Sequence, residues 1–180
     1  MGAGGGVRNV SRSLEPSPLV RMFARTMAQA APGPILDVAC GTGRNALLLA
    51  RMGCSVVCLD RDLGRLRVRS TRSTAELIIS IQSDLVKDPW PFASSTLGAI
   101  LDVHFLASSL FGDFTRSLRP RGYLLLETVG GHGGNYLELP KSRELHRKLR
   151  RAFDFAFYRE RKVGPRETDA VSVQLLAIKR

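Results

Sequence analysis

The chain has 180 residues, 44% of them hydrophobic and 24% charged, and a formal net charge of +11. That length supports one domain with a buried core, and no apolar run approaches the ~20 residues of a membrane helix. Residues 1–6 are small and glycine-rich, without the charged start and apolar centre of a secretory signal, so a cytoplasmic location is expected.

In chain order, residues 1–16 read as a flexible N-terminus and residues 17–180 as one domain. Ser17 reads as a helix N-cap with Pro18 at the first helical position. Leu19, Met22, Phe23, Thr26, Met27 and Ala30 follow as the stripe of an amphipathic helix, which Pro32-Gly33-Pro34 ends. Residues 35–39 form a short apolar strand interrupted by Asp37. A glycine turn at residues 41–43 leads to a helix over residues 45–52, with Gly53 at its C-cap. A strand over residues 55–59 ends at Asp60, and a short polar helix is expected over residues 61–69. A third strand, residues 77–82, runs into Ser83-Asp84.

Pro89, Trp90 and Pro91 make residues 87–96 a loop, and residues 99–103 a fourth strand. Ser108 or Ser109 caps a helix whose apolar side is Leu110, Phe111, Phe114 and Leu118. Residues 119–122 read as a turn and residues 123–128 as a fifth strand. A glycine-rich loop spans residues 130–140, then a helix spans residues 142–152 with Leu145, Leu149 and Ala152 inward. Phe153, Phe155 and Phe157 alternate, as do Val171, Val173, Leu175 and Ala177, so the tail is a hairpin turning at Gly164-Pro165. Strands alternating with helices imply an α/β fold, a doubly wound and mostly parallel sheet with helices on both faces, and the hairpin adds an antiparallel edge.

Cys54 and Cys58 fall on one face of one strand, about 13 Å apart and too far for a disulfide. Cys40 stands alone in the glycine loop, no spacing resembles a metal site, and all three are expected as reduced, structural thiols. The basic residues gather at residues 61–72, 143–151 and 159–166. They are compatible with a nucleic-acid partner, but such runs are usually solvated helix faces, aromatic interleaving is sparse and no RNA-binding motif appears.

Gly41-Thr42-Gly43-Arg44-Asn45-Ala46 fits the pattern G-x-G-x-x-A between a strand and a helix. Glycine lets a ligand approach the backbone, and the helix start offers free amides. Asp60 stands where a ribose contact is expected, for a nicotinamide dinucleotide and for S-adenosylmethionine alike. Asp37 bears on the choice. A carboxylate inside a central strand is costly to bury without a partner. A pyrophosphate gains nothing from it, whereas S-adenosylmethionine carries a sulfonium and an ammonium. Asp37 bracing the turn is the competing reading.

Asp37-Val38-Ala39-Cys40-Gly41-Thr42-Gly43 resembles the first motif of the class I S-adenosylmethionine-dependent methyltransferases, with Ala39 in place of a glycine. The likeness continues through Asp60, Ser83-Asp84-Leu85, the Pro89-Trp90-Pro91-Phe92 segment and the Arg119-Pro120-Arg121-Gly122 turn, over about residues 33–128. Asp102-Val103-His104-Phe105-Leu106 and residues 124–128 look like small bacterial enzymes of the tellurite-resistance type. The resemblance implies a Rossmann-like, seven-stranded sheet and S-adenosyl-L-methionine as cofactor. It implies that Asp60 holds the ribose hydroxyls, that Asp84 accepts from the adenine amino group and that the Leu85 amide faces the ring. The expected cofactor residues are Asp37, Ala39, Cys40, Gly41, Gly43, Asp60, Arg61, Ser83, Asp84, Leu85 and Val103.

The acceptor is expected over Val103, His104 and the loop of residues 130–140. His104 is a candidate general base and equally a structural histidine. His132 and Tyr136 sit in the glycine loop, which reads as a lid over the acceptor or as a plain connector; Tyr136 is the second catalytic candidate. The place after the fourth strand lacks the Asn/Asp-Pro-Pro-aromatic motif of base-amine methylation, and no cysteine is set as a nucleophile. A small-molecule acceptor is therefore expected. The rivals are a non-catalytic S-adenosylmethionine-binding module, an RNA methyltransferase and a dinucleotide-dependent oxidoreductase.

Overall fold

The computed structural model describes residues 15–67, 74, 76–130 and 135–180. The expectations for most of the N-terminal segment, for the end of the helix over residues 61–69 and for His132 lie outside the described residues. Seven strands form one sheet: β1 (Ile35–Val38), β2 (Val56–Asp60), β3 (Ile78–Gln82), β4 (Leu97–Val103), β5 (Leu118–Glu127), β6 (Phe153–Lys162) and β7 (Val171–Lys179). Their spatial order is β3-β2-β1-β4-β5-β7-β6. The first five run parallel, and β7 is antiparallel to both β5 and β6. This is the Rossmann-like methyltransferase topology that the resemblance implies. The order reverses between β1 and β4, the point at which open α/β sheets bind ligands beyond the strands' carboxyl ends.

Two apolar layers cover the sheet. One face carries Leu36, Val38, Ile100 and Leu126 under Phe111 and Phe114 of α3 (Phe111–Ser117) and Leu145 and Leu149 of α4 (Glu144–Leu149). The other carries Ile35, Leu101, Val103 and Leu125 under α1 (Pro18–Ala30) and α2 (Arg44–Arg51). The Ser17 hydroxyl caps α1 by accepting from the amides of Leu19 at 3.1 Å and Val20 at 3.4 Å.

The α1 stripe is rotated from its expected position. Leu19 and Met27 are buried and Phe23 is half-buried, but Val20 and Ala24 complete the contact while Met22, Thr26 and Ala30 face solvent. Both rows keep helical spacing; the one with small Val20 and Ala24 lets the helix lie close to the sheet.

Other elements differ from their expected bounds. After Asp60 the chain makes a 3-10 turn at Leu63–Arg65, capped by the Asp62 carboxylate accepting from Gly64 N at 3.0 Å. Neither Ser108 nor Ser109 caps α3: a 3-10 turn occupies Ser108–Leu110, and Leu118 already belongs to β5. The turn at residues 119–122 is an irregularity inside β5, where Leu118 faces Leu97 and Tyr123 faces Ala99. The helix expected over residues 142–152 shrinks to α4, because Arg143 takes a left-handed conformation at φ 59°.

The alternation of the last strand pair also breaks. A register shift lies between Phe155 and Phe157. Phe153 and Phe155 stay on the α3/α4 face, and Phe157 crosses to the other, where its ring lies 5.4 Å from that of Phe23. A bulge carries one unpaired residue and reverses the faces beyond it. It thereby points Arg159 and Arg161 towards the α1/α2 side at the carboxyl edge.

Candidate cofactor and acceptor site

A cavity of about 490 Å³ opens at the carboxyl edge beside the switch point. Of the expected cofactor residues, Asp37, Ala39, Cys40, Gly41, Asp60, Arg61, Ser83, Asp84, Leu85 and Val103 line it. Gly43 does not. It is the N-cap of α2, and its left-handed φ of 74° turns the loop into the helix. Ala39 is also left-handed, at φ 50°, which gives a physical reason for glycine at that place in the family pattern.

Asp60 shapes the loop before any ligand arrives. Its Oδ2 accepts from Gly41 N at 2.7 Å and its Oδ1 from Asp62 N at 3.0 Å. The loop of Ser83 and Asp84 is pinned in the same way by Asp88, whose Oδ2 accepts from Asp84 N at 2.8 Å and from Ser83 Oγ at 3.2 Å. Asp84 itself accepts from Val86 N at 3.1 Å and lies 3.5 Å from the Lys87 ammonium.

Asp37 is buried on the α2 side of β1. Burial raises its pKa from 3.8 to about 7, against the pull of the Ala46 amide, the Arg44 charge and the Asn45 side chain. Its Oδ2 has no hydrogen-bond partner among the described residues. A buried, orphaned acceptor beside a cavity suits a ligand that brings a positive charge. Acids at the ends of β1 and β2 and just beyond β3 thus match a cofactor with a cationic end, ribose hydroxyls and an adenine amine.

The linkage has a definite sign. The folded pKa lies above the unfolded one, so the group favours folding fully below pH 3.8 and loses that contribution as pH rises through about 7. Cofactor-free Asp37→Asn should therefore match the parent near pH 4 and exceed it above pH 7 by on the order of 4 kcal/mol. Urea unfolding at both pH values checks this, and a constant difference would sink it.

Asp102 is a second buried acid, on the opposite face of the sheet. Burial raises its pKa well above the ordinary value, the Phe105 amide offsets this in part, and neither oxygen has a hydrogen-bond partner among the described residues. Cys40 is not isolated in its loop: its thiol meets that of Cys58, and this contact with burial pushes its pKa up. Among the described residues no group of three His, Cys, Asp or Glu is arranged to hold a metal ion. No described helix is long and apolar enough to cross a membrane.

His104 stands at the end of β4 with a left-handed φ of 64°, its amide donating to Glu127 O at 2.7 Å. Its Nε2 lies 3.9 Å from Glu127 Oε2. Burial lowers its pKa below 6.5, Glu127 opposes the shift and Arg44 adds to it, so the ring is neutral at pH 7. Glu127 is a residue that the sequence reading missed. It is buried, receives hydrogen bonds from Ser17 Oγ and, at 2.7 Å, from Gln174 Nε2, and so ties α1, β5 and β7 together under His104. A lone acid ending the apolar run Leu124-Leu125-Leu126 is the signal that marks it, the same signal that singles out Asp37.

Arg44, Asn45 and Phe105 also line this cavity without having been expected there. Tyr136 does not line this cavity; its ring lies over Gly164, where an added Cβ would come within 2.6 Å of Tyr136 Cγ.

Residues 35–122 match the family model for a methyltransferase domain. No curated protein sequence matches the chain. Several solved structures share the fold. The glycopeptide N-methyltransferase MtfA, complexed with S-adenosylhomocysteine, has 16% identity and a TM-score of 0.62, over 89% of this chain and 88% of that one. TehB from Haemophilus influenzae has 18% identity and a TM-score of 0.64, over 88% of this chain and 62% of that one. The 1,6-didemethyltoxoflavin-N1-methyltransferase of Burkholderia thailandensis has 16% identity and a TM-score of 0.58, over 96% and 81%.

Proposed function

We propose that the chain, whose residues 35–122 match a methyltransferase-domain model, is a class I S-adenosylmethionine-dependent methyltransferase and that it methylates a small molecule seated over His104 and Phe105. The observation that carries the proposal is the single cavity running from Asp37, Asp60 and Asp84 to His104. Two structural relatives are named for a glycopeptide and for 1,6-didemethyltoxoflavin, which is in keeping with a small acceptor.

The cofactor supplies a sulfonium whose methyl carbon is open to in-line displacement. Asp60, which already accepts from the Gly41 amide, would also hold the ribose hydroxyls, and Asp84 would accept from the adenine amine. Asp37 and Arg44 would meet the charged amino-acid end. Val103 and Phe105 form the wall past which the acceptor must align, and positioning accounts for much of the rate. His104, neutral at pH 7, takes the proton that a hydroxyl, thiol or ammonium acceptor sheds.

Transfer of the labelled methyl group is measured over thiol, amine, carboxylate and RNA acceptors. Transfer to a small acceptor is expected. Transfer to RNA alone would overturn the small-molecule reading, and cofactor binding without any transfer would favour a binding module. With an acceptor in hand, the rate should fall below the lowered pKa of His104, under pH 6.5. His104→Asn should lower kcat by about 10²-fold or more and remove that acid limb. An unchanged pH profile would dismiss His104 as the base.

A further inference from the structure

A second cavity, about 270 Å³, lies beyond His104 and shares that residue with the cofactor cavity. It is built by the carboxyl end of β5 and the terminal hairpin. Glu127, Gln174 and Arg159 form one row across β5, β7 and β6, and Arg161 stands opposite Ser172 two residues further. Paired residues share a face of a sheet, so these side chains point to the same side. The bulge between Phe155 and Phe157 sets that side for both arginines.

The charges of this cavity do not cancel. Among the described residues Glu127 is its only acid, and that carboxylate already receives Ser17 and Gln174 with His104 beside it. Among the described residues, the guanidinium groups of Arg159 and Arg161 have no ion pair and no hydrogen bond. Two unpaired guanidinium forks on one face of a small cavity are a recognition site for a planar or tetrahedral oxyanion.

Resting on the methyl-transfer reading, we propose that the acceptor is a small organic anion whose carboxylate or phosphate is held by Arg159 and Arg161 while its reacting atom faces His104. Arg159 and Arg161, both on the hairpin, then determine specificity.

The test is an NMR titration of the S-adenosylhomocysteine-loaded protein with benzoate, phenyl phosphate and neutral benzamide, read at the arginine Nε–H signals. At least one anion should bind about tenfold more tightly than benzamide and shift Arg159 and Arg161. Benzoate against phenyl phosphate tells the two oxyanions apart. The double variant Arg159→Gln, Arg161→Gln should lose the preference and keep its affinity for S-adenosylhomocysteine. Arg166→Gln, an exposed arginine outside the cavity, should keep both. Anions binding no better than benzamide, or a preference that survives in the double variant, would overturn the proposal. The same titration without cofactor reads the arginine pair independently, so a failure to bind S-adenosylhomocysteine counts against the methyl-transfer reading alone.

Discussion

Asp60→Ala is expected to weaken S-adenosylmethionine binding by about a hundredfold or more, since each hydrogen bond to a buried charge is worth roughly tenfold or better. Two effects combine. The carboxylate's proposed hold on the ribose is lost. The Gly41 amide, now bonded at 2.7 Å, also loses its acceptor, and with it the loop loses its shape. Asp60→Asn retains one acceptor oxygen and should fall between the two. Calorimetry gives the affinities, and thermal unfolding shows whether the variants are still folded. A folded Asp60→Ala with unchanged affinity would mean that the cofactor lies elsewhere.

Gly98→Ala should be the most damaging single methyl group in the fold. Gly98 lies in β4 where the strand passes Gly33, and its amide donates to Pro34 O at 2.8 Å. An added Cβ would press on Gly33 N and stand 2.5 Å from Gly33 O and 2.7 Å from Gly33 C. All three are backbone atoms, so no side chain can swing aside and the turn at Gly33 must move off β4. We expect a loss of about 3 kcal/mol or more, seen as a fall in Tm of roughly 6–12 °C. Gly112→Ala is the control: it lies in α3 with nothing within 4 Å of the added Cβ, and it should be neutral or stabilising. Equal Tm shifts for the two variants would contradict the close approach.

The sheet was legible because its parallel strands are apolar runs bounded by glycine, proline and helix caps. Ser17 at the start of α1 was found in this way. The edge that carries the cavity was legible because Asp37, Asp60 and Asp84 break or end apolar strands, and an acid there needs a reason. Glu127 carries the same mark, but its main partner, Ser17, is 110 residues away and periodicity says nothing of such pairs. The bulge after Phe155 was illegible too. Alternation assumes an unbroken register, so Phe157 was read on the wrong face. Tyr136 was chosen for its place in a glycine-rich loop, and its contact with Gly164, 28 residues away, could not be read from that place. Rotation of α1 turned on which row of side chains is small, a matter of fit rather than of hydrophobicity.

A crystal structure with S-adenosylhomocysteine tests the central claim most directly. The account predicts the ribose hydroxyls on Asp60, the adenine amine on Asp84 and the sulfur directed past Val103 towards His104, with the 270 Å³ cavity continuing beyond it. A ligand bound with its sulfur turned away from His104, or held without contact to Asp60, would contradict it.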